Sequence, residues 1–305
     1  MLLLCSLFAG CKQDAQGVYE DGLSSEAGYR RTVLYYLSDE GFVVPVMKLI
    51  PWEEGIGKAA LSYLVDQNGN QESAAALGLN TVLPEGVTYT LRIADDKCAT
   101  LDLSGLTDLG SAAEEQAMVT SLVNTLVEFD SIDTVCITVE GKALKSLPNG
   151  TNISGAMSAF PLNMEEPEEQ VVTDSAYRLT LYYPNESASL NVPVTRLTNI
   201  EPTLESAVRE LLKGPKFAGL MNAFPEGTEM LGLSYADGAA VVNFNSAFKA
   251  VDQVDGLAQA AYDSLYLTLA GVAPISMLEV YVDGQPYDAL AAQTVAPLYA
   301  NEYGK

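Results

Sequence analysis

Arg31-Thr32-Val33-Leu34-Tyr35-Tyr36 returns 147 residues later as Arg178-Leu179-Thr180-Leu181-Tyr182-Tyr183. Three further pairs follow in the same order. Val44-Pro45-Val46 matches Val192-Pro193-Val194, Leu83-Pro84-Glu85-Gly86 matches Phe224-Pro225-Glu226-Gly227, and Val139-Glu140-Gly141 matches Val282-Asp283-Gly284. The offsets of these pairs, 148, 141 and 143, stay close to the first. Self-similarity at a near-constant spacing identifies a duplicated unit, and about 115 residues per copy is long enough to fold alone.

The repeat divides the chain. Residues 1–28 precede the first copy, 29–147 form it, 148–175 link it to the second copy at 176–290, and 291–305 form a tail. The link contains Pro148-Asn149-Gly150, Pro161 and Glu165-Glu166-Pro167-Glu168-Glu169, with little apolar periodicity, and reads as a spacer. Its adjacent carboxylates are expected in water.

Each copy reads β-β-α-β-β-α-β. Tyr177 to Tyr183 is a strand, and Leu190 to Leu197 a second one at an edge, because Pro193 cannot donate to a ladder. Leu204, Ala207, Val208, Leu211 and Leu212 then recur at helical spacing, between Pro202-Thr203 and the stop Gly214-Pro215. The first copy repeats this stripe at Ile56, Ala59, Ala60, Tyr63 and Leu64. Asp237-Gly238 marks a hairpin turn. A second helix covers about Gly256 to Leu269. Its counterpart carries Val119, Leu122, Val123, Leu126 and Val127 behind a Ser111–Glu114 capping box. The expected fold is α/β (α+β): two tandem copies of a small mixed sheet with two helices on one face.

The chain has 40 acidic against 16 basic residues, a net charge of −24. Such a surface repels phosphate backbones and argues against nucleic acid as a partner. It also repels anionic lipid, so membrane attachment would need an anchor. There is no histidine, which removes the usual general base at neutral pH and the commonest transition-metal ligand. Glu53-Glu54-Gly55-Ile56-Gly57-Lys58 is not a phosphate loop, since Ala59 follows the lysine. No hydrolase elbow, calcium loop or Cys-x-x-Cys pair occurs, and no cofactor is implied.

The opening Met1-Leu2-Leu3-Leu4-Cys5-Ser6-Leu7-Phe8-Ala9-Gly10-Cys11 reads as the end of a secretory signal. Phe8-Ala9-Gly10-Cys11 resembles a bacterial lipobox, which makes Cys11 the candidate lipidation site. Phe8 stands where leucine is usual, and no basic segment precedes the apolar run. The alternative is a buried or free cysteine. Cys98 and Cys136 fall on predicted strands out of phase with the aliphatic residues. They either share a sheet face and pair in an oxidising compartment, or remain two small unpaired residues.

Leu181-Tyr182-Tyr183-Pro184, Val192-Pro193-Val194-Thr195-Arg196, Ala207 to Leu212 running into Lys213-Gly214-Pro215, Phe224-Pro225-Glu226-Gly227-Thr228 and Val280-Tyr281-Val282-Asp283-Gly284 resemble the GerM domain family of sporulation and spore germination. The first copy is a weaker match. It has Lys48 where the second has Arg196, and it lacks the Lys-Gly-Pro helix stop. The resemblance implies a fold similar to the ring-building motif, an α/β module that assembles secretion-like and sporulation complexes. It implies a lipid-anchored, extracytoplasmic envelope protein that scaffolds other envelope or sporulation proteins, with no catalytic residues to transfer. The resemblance is compatible with an oligomer.

Arg196 and Lys48, at matched positions, are either a contact for a partner or anionic ligand or, the preferred reading, members of structural ion pairs. Tyr35-Tyr36 and Tyr182-Tyr183 are expected to send one ring to the core and one to solvent, where it would suit an interface or simply a solvated edge. Two other functions compete with scaffolding. A binding module for glycan or a small ligand would need a cleft lined by tyrosines and carboxylates. A carboxylate-dependent hydrolase would need two convergent carboxylates in a cleft, roughly 5–9 Å apart.

Overall fold

The computed structural model describes residues 28–107, 110–291 and 295–303. The first copy runs β1 (Tyr29–Ser38), β2 (Val43–Pro51), α1 (Ile56–Ser62), α2 (Asn70–Ala75), β3 (Leu79–Asn80), β4 (Thr88–Ile93), β5 (Cys98–Ser104), α3 (Ala112–Val127) and β6 (Thr134–Val139). The second runs β7 (Tyr177–Pro184), β8 (Asn191–Thr198), α4 (Leu204–Leu212), β9 (Met230–Ala236), β10 (Ala239–Phe244), a 3-10 stretch over Ser246–Gln253, α5 (Leu257–Ala270), β11 (Met277–Val282), β12 (Gln285–Pro286) and α6 (Asp288–Ala291).

The predicted strands and helices are present, but the sheet is not single. Each copy divides its strands between an antiparallel hairpin sheet, β2-β1-β3 or β7-β8, and a mixed sheet, β4-β5-β6 or β12-β11-β10-β9. The mixed sheets repeat one pattern, with β5 parallel to β6 and β10 parallel to β11. The long helix of each copy lies between the two sheets instead of covering one face. Every residue of α3 from Met118 to Leu126 is buried, polar ones included. A single apolar stripe therefore understates its burial.

Hydroxyls dock that helix on the hairpin sheet. The Tyr35 amide donates to Thr125 Oγ1 at 3.0 Å, and Ser121 Oγ donates to the Tyr35 carbonyl. In the second copy the Tyr182 amide donates to Thr268 Oγ1, again at 3.0 Å. Each hydroxyl takes up a strand-edge group that no neighbouring strand reaches. The other side of α5 reaches the mixed sheet, where Tyr262 donates to the Leu278 carbonyl.

The capping box forms as predicted, with Glu114 N–H donating to Ser111 Oγ and Glu114 accepting from the Ser111 amide. Thr203 and Ser206 make the same reciprocal cap on α4. Ala207, Val208 and Leu211 are buried on that helix, and each such aliphatic contributes about 1.5–3 kcal/mol when fully buried, alanine less. The first-copy stripe ends early. α1 stops at Ser62, and α2 follows, with Asn70 Nδ2 donating to the Ser62 and Val65 carbonyls. Gly57 lets α1 approach β4 closely, since a Cβ there would meet Leu91 at 3.2 Å.

Candidate functional site

The two copies meet along the free edges of β2 and β8, and the segments after each copy hold them together. Residues 162–165 of the link run along β8: Thr195 N–H donates to the Asn163 carbonyl at 3.2 Å, and Glu165 N–H donates to the Thr195 carbonyl at 2.9 Å. The tail does the same on β2, where Met47 N–H donates to the Asn301 carbonyl at 2.9 Å and Tyr303 N–H to the Met47 carbonyl at 2.8 Å. Each copy thus receives a strand-like segment from the stretch that follows the other.

Two asparagine amides complete the seam. Asn163 accepts from Val43 N–H at 2.9 Å and donates to the Val43 and Pro193 carbonyls at 2.9 and 2.7 Å. Asn301 accepts from Asn191 N–H at 2.8 Å and donates to the Asn191 and Pro45 carbonyls, both at 2.9 Å. Val43 corresponds to Asn191 and Pro45 to Pro193, so the pattern is reciprocal. Proline explains the geometry. Pro45 and Pro193 have no N–H, so each exposes only a carbonyl at the edge, and a single amide NH2 satisfies it.

The spacer reading of the link is corrected here. Glu165 is 2% exposed and takes both arms of Arg196, at 2.6 Å from Nε and 3.0 Å from Nη2. Arg196, itself 3% exposed, also donates to the Glu210 carbonyl at 2.7 Å and the Gly214 carbonyl at 2.8 Å. These carbonyls lie at the end of α4, where helix groups lack internal partners and a cation is favoured. Burial works against the Arg196 charge, but the Glu165 hydrogen bonds and surrounding charges raise its pKa above the usual arginine value. Arg196 is an internal strut with no surface to offer a partner.

Lys48, its counterpart, has no carboxylate partner among the described residues. Its Nζ sits 3.0 Å from the centre of the Tyr303 ring and 5.2 Å from that of Tyr63, a cation over aromatic faces. Burial lowers its pKa to about 8. Tyr303 stands on the tail where Glu165 stands on the link, so one place in the seam carries an ion pair in one half and a cation–aromatic contact in the other.

The expected split of each tyrosine pair between core and solvent fails in the first copy and is partial in the second. Tyr35, Tyr36 and Tyr183 are buried and Tyr182 is half-buried. Tyr35 donates to Glu128 Oε1 at 2.6 Å, and burial, the largest influence, raises the Glu128 pKa against that bond. Tyr183 donates to the Leu211 carbonyl at 3.4 Å.

A cleft of about 360 Å³ in the first copy is lined by Leu37, Asp66, Val82, Pro84, Glu114 and Met118 among others, and by no tyrosine. Its Glu114 is occupied in the capping box, whose bonds lower its pKa. Cys11 lies outside the described residues. Cys98 and Cys136 share a sheet face as free thiols. Among the described residues no group of three or more Cys, Asp or Glu is arranged for a metal, and no helix is long and apolar enough to cross a membrane.

The family described as "Germane: Sporulation and spore germination" matches residues 33–145 and 180–288, one match in each copy. This chain belongs to the GerM domain family. It is 33% identical over 262 residues to spore germination protein GerM of Bacillus subtilis (strain 168), covering 83% of this chain and 71% of that protein. It is also similar to the solved tandem GerMN domains of the sporulation protein GerM from Bacillus subtilis. That match has a TM-score of 0.68 and 27% identity, and covers 90% of this chain and all of that one. The relationship supports a sporulation-related role.

In GerM-domain terms, the residues that join the tandem were missed in the sequence: Asn163, Glu165, Asn301 and Tyr303. A faint signal existed: Pro161-Leu162 stands directly before Asn163, and Pro297-Leu298 stands before Asn301 with Tyr299 and Ala300 between, so a Pro-Leu pair leads into each asparagine, though at unequal spacing.

Proposed function

We propose that this chain is a non-enzymatic, extracytoplasmic envelope protein that serves sporulation as a two-domain platform for other proteins, tethered to the membrane through a lipid on Cys11. The double asparagine clasp carries the reading. It fixes two sheet units in one orientation, and three of the charged side chains are taken up by internal contacts. Arg196 holds Glu165, Lys48 rests on Tyr303, and Tyr35 holds Glu128. What faces outward is suited to contact. Among the described residues the outer strand β9 pairs only with β10, and it carries exposed Leu231 and Tyr235. The family relationship supports sporulation as the setting.

A photo-cross-linking residue at Leu231, with exposed Lys249 as surface control, tests the platform in sporulating cells. A discrete cross-linked protein at Leu231 and none at Lys249 is expected. Identical background at both positions throughout sporulation would reject the role. Mass spectrometry of the mature N-terminus tests the anchor separately, and an unmodified Cys11 would remove it.

A further inference from the structure

Cys98 and Cys136 lie on the outer face of the mixed sheet in the first copy. β5 and β6 run parallel, with Cys98 opposite Thr134 and Thr100 opposite Cys136. The thiols are therefore diagonal neighbours, with their sulfurs 3.5 Å apart and both side chains half-buried. The strand starts are held firmly. Cys98 N–H donates to Asp96 Oδ1 at 3.1 Å, Asp133 N–H donates to the Lys97 carbonyl at 2.9 Å, and Lys97 Nζ lies 3.7 Å from Asp133 Oδ1.

Nothing in the fold calls for sulfur there. The same face carries Thr90, Arg92, Thr100, Asp102 and Thr138 and is polar. The second copy builds the corresponding sheet with Ala239 and Glu279 at the matching register positions. Two thiols side by side on a polar, partly exposed face have a shared chemistry that neither has alone.

We propose that Cys98 and Cys136 are a modification site, joined as an intramolecular disulfide by exchange with a disulfide-bearing oxidant. One thiolate attacks a sulfur of the oxidant, giving a mixed disulfide and releasing one thiol. The second thiolate attacks the cysteine sulfur of that mixed disulfide, forms the Cys98–Cys136 bond and releases the other thiol. The protein loses two hydrogens and two electrons, and the oxidant's disulfide is reduced to two thiols. The sulfurs must close from 3.5 Å to a bond of about 2 Å. The new loop runs from β5 through α3 to β6 and encloses the helix whose Ser121 and Thr125 hold β1. One bridge on the outer face of the mixed sheet thus closes the loop that carries the helix on which the hairpin sheet is docked.

Peptide mapping of the full chain under non-reducing conditions, across a series of glutathione to glutathione-disulfide ratios, tests this. The expected result is a linked Cys98–Cys136 peptide on the oxidised side, lighter by two hydrogens than the reduced pair. Oxidised protein should melt higher than reduced, with slower hydrogen exchange in α3. Cys98→Ser should lose the dependence on reductant while keeping the reduced-state melting point. Alkylation of both thiols at every ratio would overturn the proposal, as would linkage of either cysteine to Cys5 or Cys11.

Discussion

Asn163 and Asn301 make one contact twice, in reciprocal directions. The Asn163 amide joins Val43 of the first copy to Pro193 of the second, and the Asn301 amide joins Asn191 of the second to Pro45 of the first. Each comes from the segment following a copy, so the covalent order of the chain is threaded through its own interface.

Asn301→Ala removes two donated hydrogen bonds and one accepted bond. At roughly 1 kcal/mol net for each, the loss is about 2–3 kcal/mol. Faster hydrogen exchange at the Asn191 amide, with the α3 amides unchanged, is the expected signature. An unchanged Asn191 amide would count against the clasp.

Glu165→Gln should cost about 3 kcal/mol, because it leaves the buried Arg196 charge with only the longer contact to the Glu210 carboxylate at 3.4 Å. The double variant Glu165→Leu/Arg196→Met should lose less than either single change, since no charge remains to be buried. Urea titration of Glu165→Leu, Arg196→Met and the double variant checks the ordering.

Ser121 and Ser264 occupy equivalent places in α3 and α5 but have different partners. Ser121 Oγ donates to the Tyr35 carbonyl, whereas Ser264 Oγ is buried without a hydrogen bond among the described residues. Ser121→Ala should therefore destabilise by about 1–2 kcal/mol, while Ser264→Ala should be neutral or slightly stabilising. Thermal melts of the two variants discriminate directly.

Lys48 gives a pH effect with a definite sign. Burial lowers its pKa to about 8 from the usual 10.5. Between these values the unfolded chain holds a proton that the folded chain has released, so stability rises with pH across that window. The penalty is present in full below about 8. Solvent screening of a half-exposed amine limits the gain to about 1 kcal/mol. Relative to Lys48→Met, wild-type stability should climb from pH 8 to 9.5, and a flat difference would refute the assignment.

Some of this was legible in local pattern. The helix stripe of α4, its Thr203 start and its Gly214-Pro215 stop depend on neighbours within a few residues, and they formed where the spacing put them. The edge position of Pro193 followed from its missing N–H. The splitting of each sheet was not legible, because strand pairing joins residues far apart and alternation does not say which strand lies alongside. Tyr35 and Tyr36 show the same limit. A strand face turned to solvent and one covered by a helix have identical period.

Two oddities of the first copy turn out to be one. Lys48 replaces Arg196, and the Lys-Gly-Pro stop is absent. In the second copy that stop presents the Glu210 and Gly214 carbonyls to Arg196. Where no such stop follows the helix, a fork of donors has no matching set of acceptors, and a lysine over Tyr303 suffices.

By itself the sequence determined the duplication, the element types and the family, because these reside in repeated short-range patterns of side-chain size, polarity and backbone punctuation. Only the tertiary structure decided that the link and tail cross over to the opposite copy, that Glu165 is buried, and that Arg196 and Lys48 belong to one seam. Those facts depend on which edge groups lack partners after the strands have paired, and the unpaired groups are defined only once the chain has folded.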